Sequence, residues 1–166
     1  MAEKKVLIRP AEPKDCVNIF KLLMKGWNEQ VVEYAPVDDL RGYLWILSII
    51  QEGFLAVADL SGRIVGAACA SPFRPAWSKA WMLDMEFLYI DPKFRADGLA
   101  RELLRAVENW ADKVNLPTTF GMQTGERVDT KDRLMKIAGF EYTGGNFLRP
   151  ASGQIEEEAV DNEPDD

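Results

Sequence analysis

Apolar residues recur along this chain with two periods, and the switch between them marks the elements. Residues 6–11 read as a short first strand. Pro13-Lys14-Asp15 then opens a helix whose Cys16, Phe20, Leu23 and Trp27 fall at helical spacing. A polar segment follows, and Pro36-Val37-Asp38-Asp39 places carboxylates at the start of a second helix with Leu40, Leu44, Leu47 and Ile50 on its predicted inner stripe, ended by Gly53. Residues 54–59 and 63–71 are β-rich runs separated by Leu60-Ser61-Gly62, a hairpin signal. Residues 81–90 form the longest extended stretch. Strict alternation puts Trp81, Leu83, Met85, Phe87 and Tyr89 on one face and Met82, Asp84, Glu86, Leu88 and Ile90 on the other.

Asp91-Pro92 closes that strand, and residues 98–114 make a strongly amphipathic helix with Leu99, Leu103, Val107, Trp110 and Val114 inward and Arg101, Arg105, Glu108 and Asp112 outward. Residues 117–124 are a further strand and 130–138 a short helix stopped by Gly139. Glu141-Tyr142-Thr143 and Phe147-Leu148-Arg149 flank Gly144-Gly145-Asn146 as a terminal hairpin or a strand and its return. The order β-α-α-β-β-β-α-β-α-β predicts one α/β (α+β) domain over residues 1–150, with a mixed central sheet flanked by helices. Residues 151–166 lack an apolar pattern and read as an acidic, disordered tail.

Charge sharpens this picture. The chain has 27 acids against 20 bases, and seven of the acids lie in residues 151–166, so removing them leaves a neutral body of 20 against 20. A neutral body with no Lys/Arg run lacks the footprint of a nucleic-acid binder. With no histidine, and only Cys16 and Cys69, the chain has no zinc site of the Cys/His type, no Ser-His-Asp triad and no Cys-His dyad, so no metal is expected. The two cysteines read as small buried hydrophobes. A charged N-terminus and short apolar runs point to a cytoplasmic protein without a membrane partner. Chemistry falls to carboxylates, hydroxyls, amines and backbone.

One segment concentrates such chemistry. A turn from the strand end at Asp91 into the helix start near Gly98 exposes unpaired N–H groups beside the positive end of a helix dipole, which makes an anion cradle. Small residues at Gly98 and Ala100 let phosphate oxygens reach those amides, and Lys93, Arg95, Arg101 and Arg105 add charge near the same mouth.

Arg95, Gly98 and Ala100, following Leu88-Tyr89-Ile90-Asp91-Pro92 and followed much later by Leu134, Lys136, Gly139 and Phe140, resemble the motifs of the GNAT superfamily of acyl-CoA-dependent N-acyltransferases, over about residues 6–149. The first three match the family's (Gln/Arg)-x-x-Gly-x-(Gly/Ala) loop. The resemblance implies acetyl-CoA as cosubstrate and no metal. It implies that the amides of Arg95, Ala96, Asp97, Gly98, Leu99 and Ala100 hold the pyrophosphate. Main-chain groups near Leu88, Tyr89 and Ile90 then pair with the pantetheine arm where the fourth and fifth strands splay apart. A fourth-strand carboxylate, Asp84 or Glu86, is the implied proton acceptor. Among Met82, Leu88 and Ile90 such a carboxylate is expected to titrate high; alternatively either one lies on a wet sheet face, or a water chain takes the proton.

Two positions depart from the family pattern: Met135 replaces a tyrosine that protonates the leaving thiolate, and Val128, beside Asp129, replaces an asparagine. These leave open a non-catalytic acyl-CoA-binding or protein-interaction module as the alternative to an acetyltransferase. The expected acceptor is an amine of a small molecule, peptide or protein, on a monomer or homodimer. Acceptor selectivity is expected from residues 27–39, residues 73–79 and Asn146. Glu29, Glu33, Asp38 and Asp39 would attract a cation or serve as solvated caps. Trp27, Tyr34, Trp77 and Trp81 would line a pocket or belong to the core.

Overall fold

The computed structural model describes residues 5–29, 36–95, 98–121 and 128–144. Among the described residues, five strands form one sheet in the order β1 (Leu7–Pro10), β2 (Phe54–Leu60), β3 (Arg63–Phe73), β4 (Met82–Ile90) and β5 (Thr118–Phe120). The first four are antiparallel neighbours, and β4 pairs with β5 in parallel. Four helices among the described residues cover the sheet: α1 (Cys16–Trp27), α2 (Asp39–Glu52), α3 (Leu99–Val114) and α4 (Val128–Ile137). This is the expected mixed sheet flanked by helices. None of the described helices is long and apolar enough to cross a membrane.

Local chemistry accounts for the joints. Ser61 and Gly62, both at positive φ, make the tight turn between β2 and β3, and Asp59 accepts the Gly62 N–H. The Asp38 side chain caps α2 by accepting the Arg41 N–H at 3.0 Å. A short 3-10 turn at Pro13–Asp15 leads into α1, and Asp15 receives both terminal nitrogens of Arg9, which also bridges to Asp59. That network clamps the first strand to the start of the first helix.

Two cores flank the sheet. Ala56, Ala58, Val65, Leu83, Met85 and Ile90 pack under α3 with Leu103, Leu104 and Val107. Leu55, Val57, Ala67 and Cys69 pack under α1 and α2 with Ile19, Phe20, Ile46 and Ile49. Both cysteines are buried and free, and burial pushes both thiols up.

Three sequence expectations need correction. The pairing of β3 with β4 slips by one residue between Cys69↔Phe87 and Ser71↔Asp84, so β4 carries an extra residue at Met85–Glu86 opposite Ala70. Alternation therefore breaks there. Leu83 and Met85 share the α3 side with Leu88 and Ile90, whereas Phe87 and Tyr89 face α1 and α2. The second correction concerns α2, whose buried residues are Ile46 and Ile49, while Leu40 and Leu44 are exposed at 67% and 57%. That helix is apolar on most sides, so its stripe has no unique phase in the sequence. Third, Val114 is exposed, and Leu104 and Ala111 take inward places on α3. The expected terminal hairpin reaches residues 141–144 without regular structure; its remainder and the acidic tail lie outside the described residues.

Candidate functional site

The bulge at Met85–Glu86 has a consequence on the other edge of β4. Pairing with β5 runs only from Leu83↔Thr118 to Met85↔Phe120. From Glu86 to Ile90, that edge of β4 carries no strand among the described residues. A cavity of about 540 Å³ opens at the point where pairing stops. It is lined from α1, α2, the second half of β4, the end of β5 and α4.

Asp84, Glu86, Leu88 and Tyr89 all line this cavity, whereas Ile90 is buried against the α3 core. Of the apolar neighbours expected around the carboxylates, Leu88 lines the cavity with them, but both also have polar partners. Glu86 accepts the Trp45 indole N–H at 2.8 Å on Oε2 and the Ser71 hydroxyl on Oε1, so both its oxygens are occupied. Asp84 faces the Thr119 hydroxyl at 3.4 Å, and that hydroxyl lies closer, 3.2 Å, to the Leu83 carbonyl. Trp45 and Ser71 were not foreseen as partners. Their separations from Glu86 of 41 and 15 residues carry no local signal.

Tyr89 reaches the opposite rim, where Gly26 permits a close approach: a Cβ there would stand 2.8 Å from the tyrosine ring. Its hydroxyl donates to Glu29 at 2.7 Å, and Arg95 donates to the other Glu29 oxygen while its guanidinium lies 5.4 Å from the Tyr89 ring centroid. Burial, then the Glu29 hydrogen bond, pushes the Tyr89 hydroxyl up. For Glu29, burial works upward, but the Tyr89 and Arg95 bonds prevail and hold the carboxyl below its ordinary range. Glu29 thus spends its charge on Arg95, correcting the expectation that it attracts an external cation. Arg95 Nε also donates to the Ile90 carbonyl at 3.1 Å, so one main-chain acceptor expected for a ligand already has a partner.

The strand-to-helix junction is built on a buried aspartate and an open glycine. Asp91 accepts from Lys25 at 2.8 Å, from Arg63 at 3.3 Å and from the Lys93 N–H at 3.2 Å. The Lys25 bond leads the causes that keep its carboxyl below the usual range, against burial. Gly98, at φ +73°, is the N-cap of α3 and offers no side-chain cap. Its carbonyl accepts from the Arg101 and Glu102 N–H groups, so it satisfies no donor of the first turn beyond those two. A Cβ built on Gly98 would meet no atom of the described residues within 4 Å. Ala96 and Asp97 lie outside the described residues. Arg101 does not face this mouth as expected. It runs along α3 toward Glu108, 3.7 Å away.

Of the aromatic residues expected around an acceptor, Trp27 lines the cavity. Trp77 is 90% exposed, Trp81 carries Arg74 over its ring on the surface, and Tyr34 lies outside the described residues. Met135 is buried and lines the cavity from α4. No group of three or more His, Cys, Asp or Glu is placed to hold a metal ion among the described residues.

The profile of the Acetyltransferase (GNAT) family matches residues 17–140. No curated protein sequence matches significantly. Among solved structures, the chain is similar to a predicted acetyltransferase with acetyl-CoA from Clostridium acetobutylicum, at 17% identity and a TM-score of 0.71, covering 89% of this chain and 96% of that one. It is also similar to the aminoglycoside N-acetyltransferase AAC(6')-Iy in complex with CoA, at 18% identity and 0.68, covering 90% and 97%. An acetyltransferase from Trypanosoma brucei follows at 16% and 0.66, covering 89% and 100%.

Proposed function

Since this chain belongs to the GNAT acetyltransferase family, we propose that it is an acetyl-CoA-dependent N-acetyltransferase whose acceptor amine enters the cavity beside β4, with Asp84 receiving the amine's proton. The observation that carries the reading is the β4 edge that has no paired strand after Met85 among the described residues and leads into a helix start whose N-cap, Gly98, supplies no side-chain cap. Those are the two features a pantetheine arm and a diphosphate need from a backbone: an unpaired strand edge and free amides at a positive dipole end.

The residues present fit that cosubstrate. Space is open at the Gly98 Cβ position among the described residues, and Leu99 and Ala100 are the first two residues of α3, the turn whose amides a helix leaves unbonded. Acetyl-CoA supplies, when bound, an acyl carbon activated by its thiolate leaving group. The chain's own work is orientation and proton transfer. Leu88 and Tyr89 line the cavity on the unpaired stretch of β4 and align the arm as an added strand. The Arg95–Glu29–Tyr89 cluster ties Arg95 to α1 and β4 at the rim of the cavity. An ammonium loses two protons on becoming an amide: Asp84 takes the first, directly or through one water, which frees the lone pair for attack, and the second goes to the departing thiolate. Glu86, with both oxygens committed to Ser71 and Trp45, acts as a positioning residue that holds the cavity wall.

Thiol release from acetyl-CoA over a panel of amines tests the activity. Asp84→Asn is expected to lower kcat by about 10²- to 10⁴-fold with the acetyl-CoA Kd unchanged; an unaltered rate removes Asp84 from the mechanism. A second reading, an acyl-CoA-binding module without turnover, is favoured by the buried thioether of Met135 where the family pattern has a proton-donating hydroxyl. Measurable acetyl-CoA binding with no thiol released by any amine would select it.

A further inference from the structure

We propose that the Lys131 ammonium receives the departing thiolate, neutralising the charge that grows on sulfur as the carbon–sulfur bond of the thioester breaks; the proposal rests on the transfer reading above and adds the residue that serves its leaving group. Lys131, Leu134 and Met135 line the cavity beside β4 from α4, as residues spaced by three and four along a helix share a face. Leu88 and Tyr89 line the same cavity from the unpaired stretch of β4. An arm laid along that stretch runs between β4 and α4, with its sulfur in reach of the α4 side chains. Leu134 and Met135 have neither charge nor an acidic hydrogen to offer it.

Electrostatics calls for a cation there. Asp38, Asp84 and Glu86 all line the cavity, and each raises the energy of a further anion formed among them. Among the described lining residues, Lys131 alone carries a positive charge. That charge reaches the rim as well: burial pushes the Glu29 carboxyl up, the Tyr89 and Arg95 bonds pull it down, and Lys131 adds to the pull. The Tyr89 hydroxyl is a poor substitute, since it donates to Glu29, and burial, then that bond, pushes it up. The Trp45 N–H is given to Glu86. As the amine nitrogen bonds the acyl carbon, the electron pair of the carbon–sulfur bond goes to sulfur. The second proton of the acceptor passes from nitrogen to sulfur, and Lys131 keeps its own, acting by its charge.

The test uses the full chain with coenzyme A as probe. Lys131→Met and Lys131→Gln remove the charge, and Lys131→Arg keeps it. Ultraviolet absorbance follows ionisation of the coenzyme A thiol in each complex as pH rises, with the matching desulfo-coenzyme A complex subtracted. The subtraction removes the signals of Tyr89, Cys16 and Cys69, all three pushed up by burial. Glu29 and Arg95 at the rim, Asp38 before α2, and Asp84 and Glu86 on β4 act on the sulfur alike in every protein and set a common baseline. The thiol midpoint in Lys131→Met and Lys131→Gln should lie above that of the unaltered protein by roughly 0.6 to 2.4 pH units, the range for an ion pair at about 5 Å under an effective dielectric of about 80 to 20. In Lys131→Arg it should stay within about 0.5 unit. With the amine panel, kcat should fall at least about tenfold without the charge and at most about threefold in Lys131→Arg, while the Kd for acetyl-CoA, whose sulfur is uncharged, stays within about twofold throughout. Equal midpoints with and without the charge overturn the proposal, as does an equal loss of coenzyme A and acetyl-CoA affinity, which would put Lys131 against another part of the ligand. Thiol release with unchanged midpoints refutes the role of Lys131 and leaves acetyl transfer standing. A midpoint raised by loss of the charge, with no thiol released by any amine, refutes transfer and leaves a thiolate site. No binding of coenzyme A refutes both.

Discussion

Replacing Gly98 by Asn and, separately, by Asp isolates the charge term at the strand-to-helix junction. Both side chains tolerate the left-handed backbone at φ +73° better than other non-glycine residues, and no atom of the described residues lies within 4 Å of a Cβ placed there. The two variants therefore share strain and bulk and differ by one negative charge. A carboxylate about 5 Å from a bound phosphate, at an effective dielectric between about 20 and 80, is repelled by about 1–3 kcal/mol, which is roughly 5- to 150-fold in Kd. Fold stability runs the other way. An anion at the N-terminus of α3 gains about 0.3–1 kcal/mol from the helix dipole, so the Asp variant should melt at or above the Asn variant. Titration calorimetry with coenzyme A, together with thermal melts, separates the two effects. The affinity gap should narrow as salt rises toward 1 M, where the Debye length falls to about 3 Å. If Gly98→Asp and Gly98→Asn bind coenzyme A equally well, the phosphates do not sit at this junction and the reasoning fails.

Two further outcomes follow from the packing. Asp91 titrates lower in the folded protein than in the unfolded chain, so its contribution is present above the unfolded value of about 3.9 and is lost as pH falls through the folded one. Asp91→Asn should cost about 1.5 kcal/mol at pH 7, at the low end for bonds to charged groups because Lys25 and Arg63 are half-exposed, and the gap to the unaltered protein in urea unfolding should shrink by pH 3; a gap that widens in acid contradicts this sign. Gly42→Ala would place a Cβ 2.3 Å from the buried Phe20 ring, and overpacking of about 1–3 kcal/mol should outweigh the helix-propensity gain of about 1 kcal/mol. A melting temperature above that of the unaltered protein would show that the ring has room to move.

The contrast between β4 and α3 shows where sequence reasoning reaches and where it stops. On α3 the apolar positions differ sharply from their polar neighbours, and Leu99, Leu103 and Val107 are inward as the period requires. On β4 the same counting succeeds from Leu83 to Met85 and fails after them, because one inserted residue turns Phe87 and Tyr89 to the other face. The candidate site divides in the same way. Asp84 and Glu86 were legible as carboxylates two apart on one strand. That Glu86 is engaged by Trp45 and Ser71, and Glu29 by Arg95 and Tyr89, was not legible, since each partner arrives from a distant element.

By itself, the amino-acid sequence determined the order of strands and helices, the glycine-bearing turn before α3 and the absence of histidine-based chemistry. Each is a property of neighbouring residues: period, turn preference and composition act within a few positions of the chain. Tertiary structure decided the bulge of β4 against β3, the phase of an all-round apolar α2 and which carboxylates beside the cavity find close donors, Glu86 two and Asp84 one long contact among the described residues. A register slip changes no local propensity, and a carboxylate is free or occupied only according to which donors the fold brings within hydrogen-bond reach.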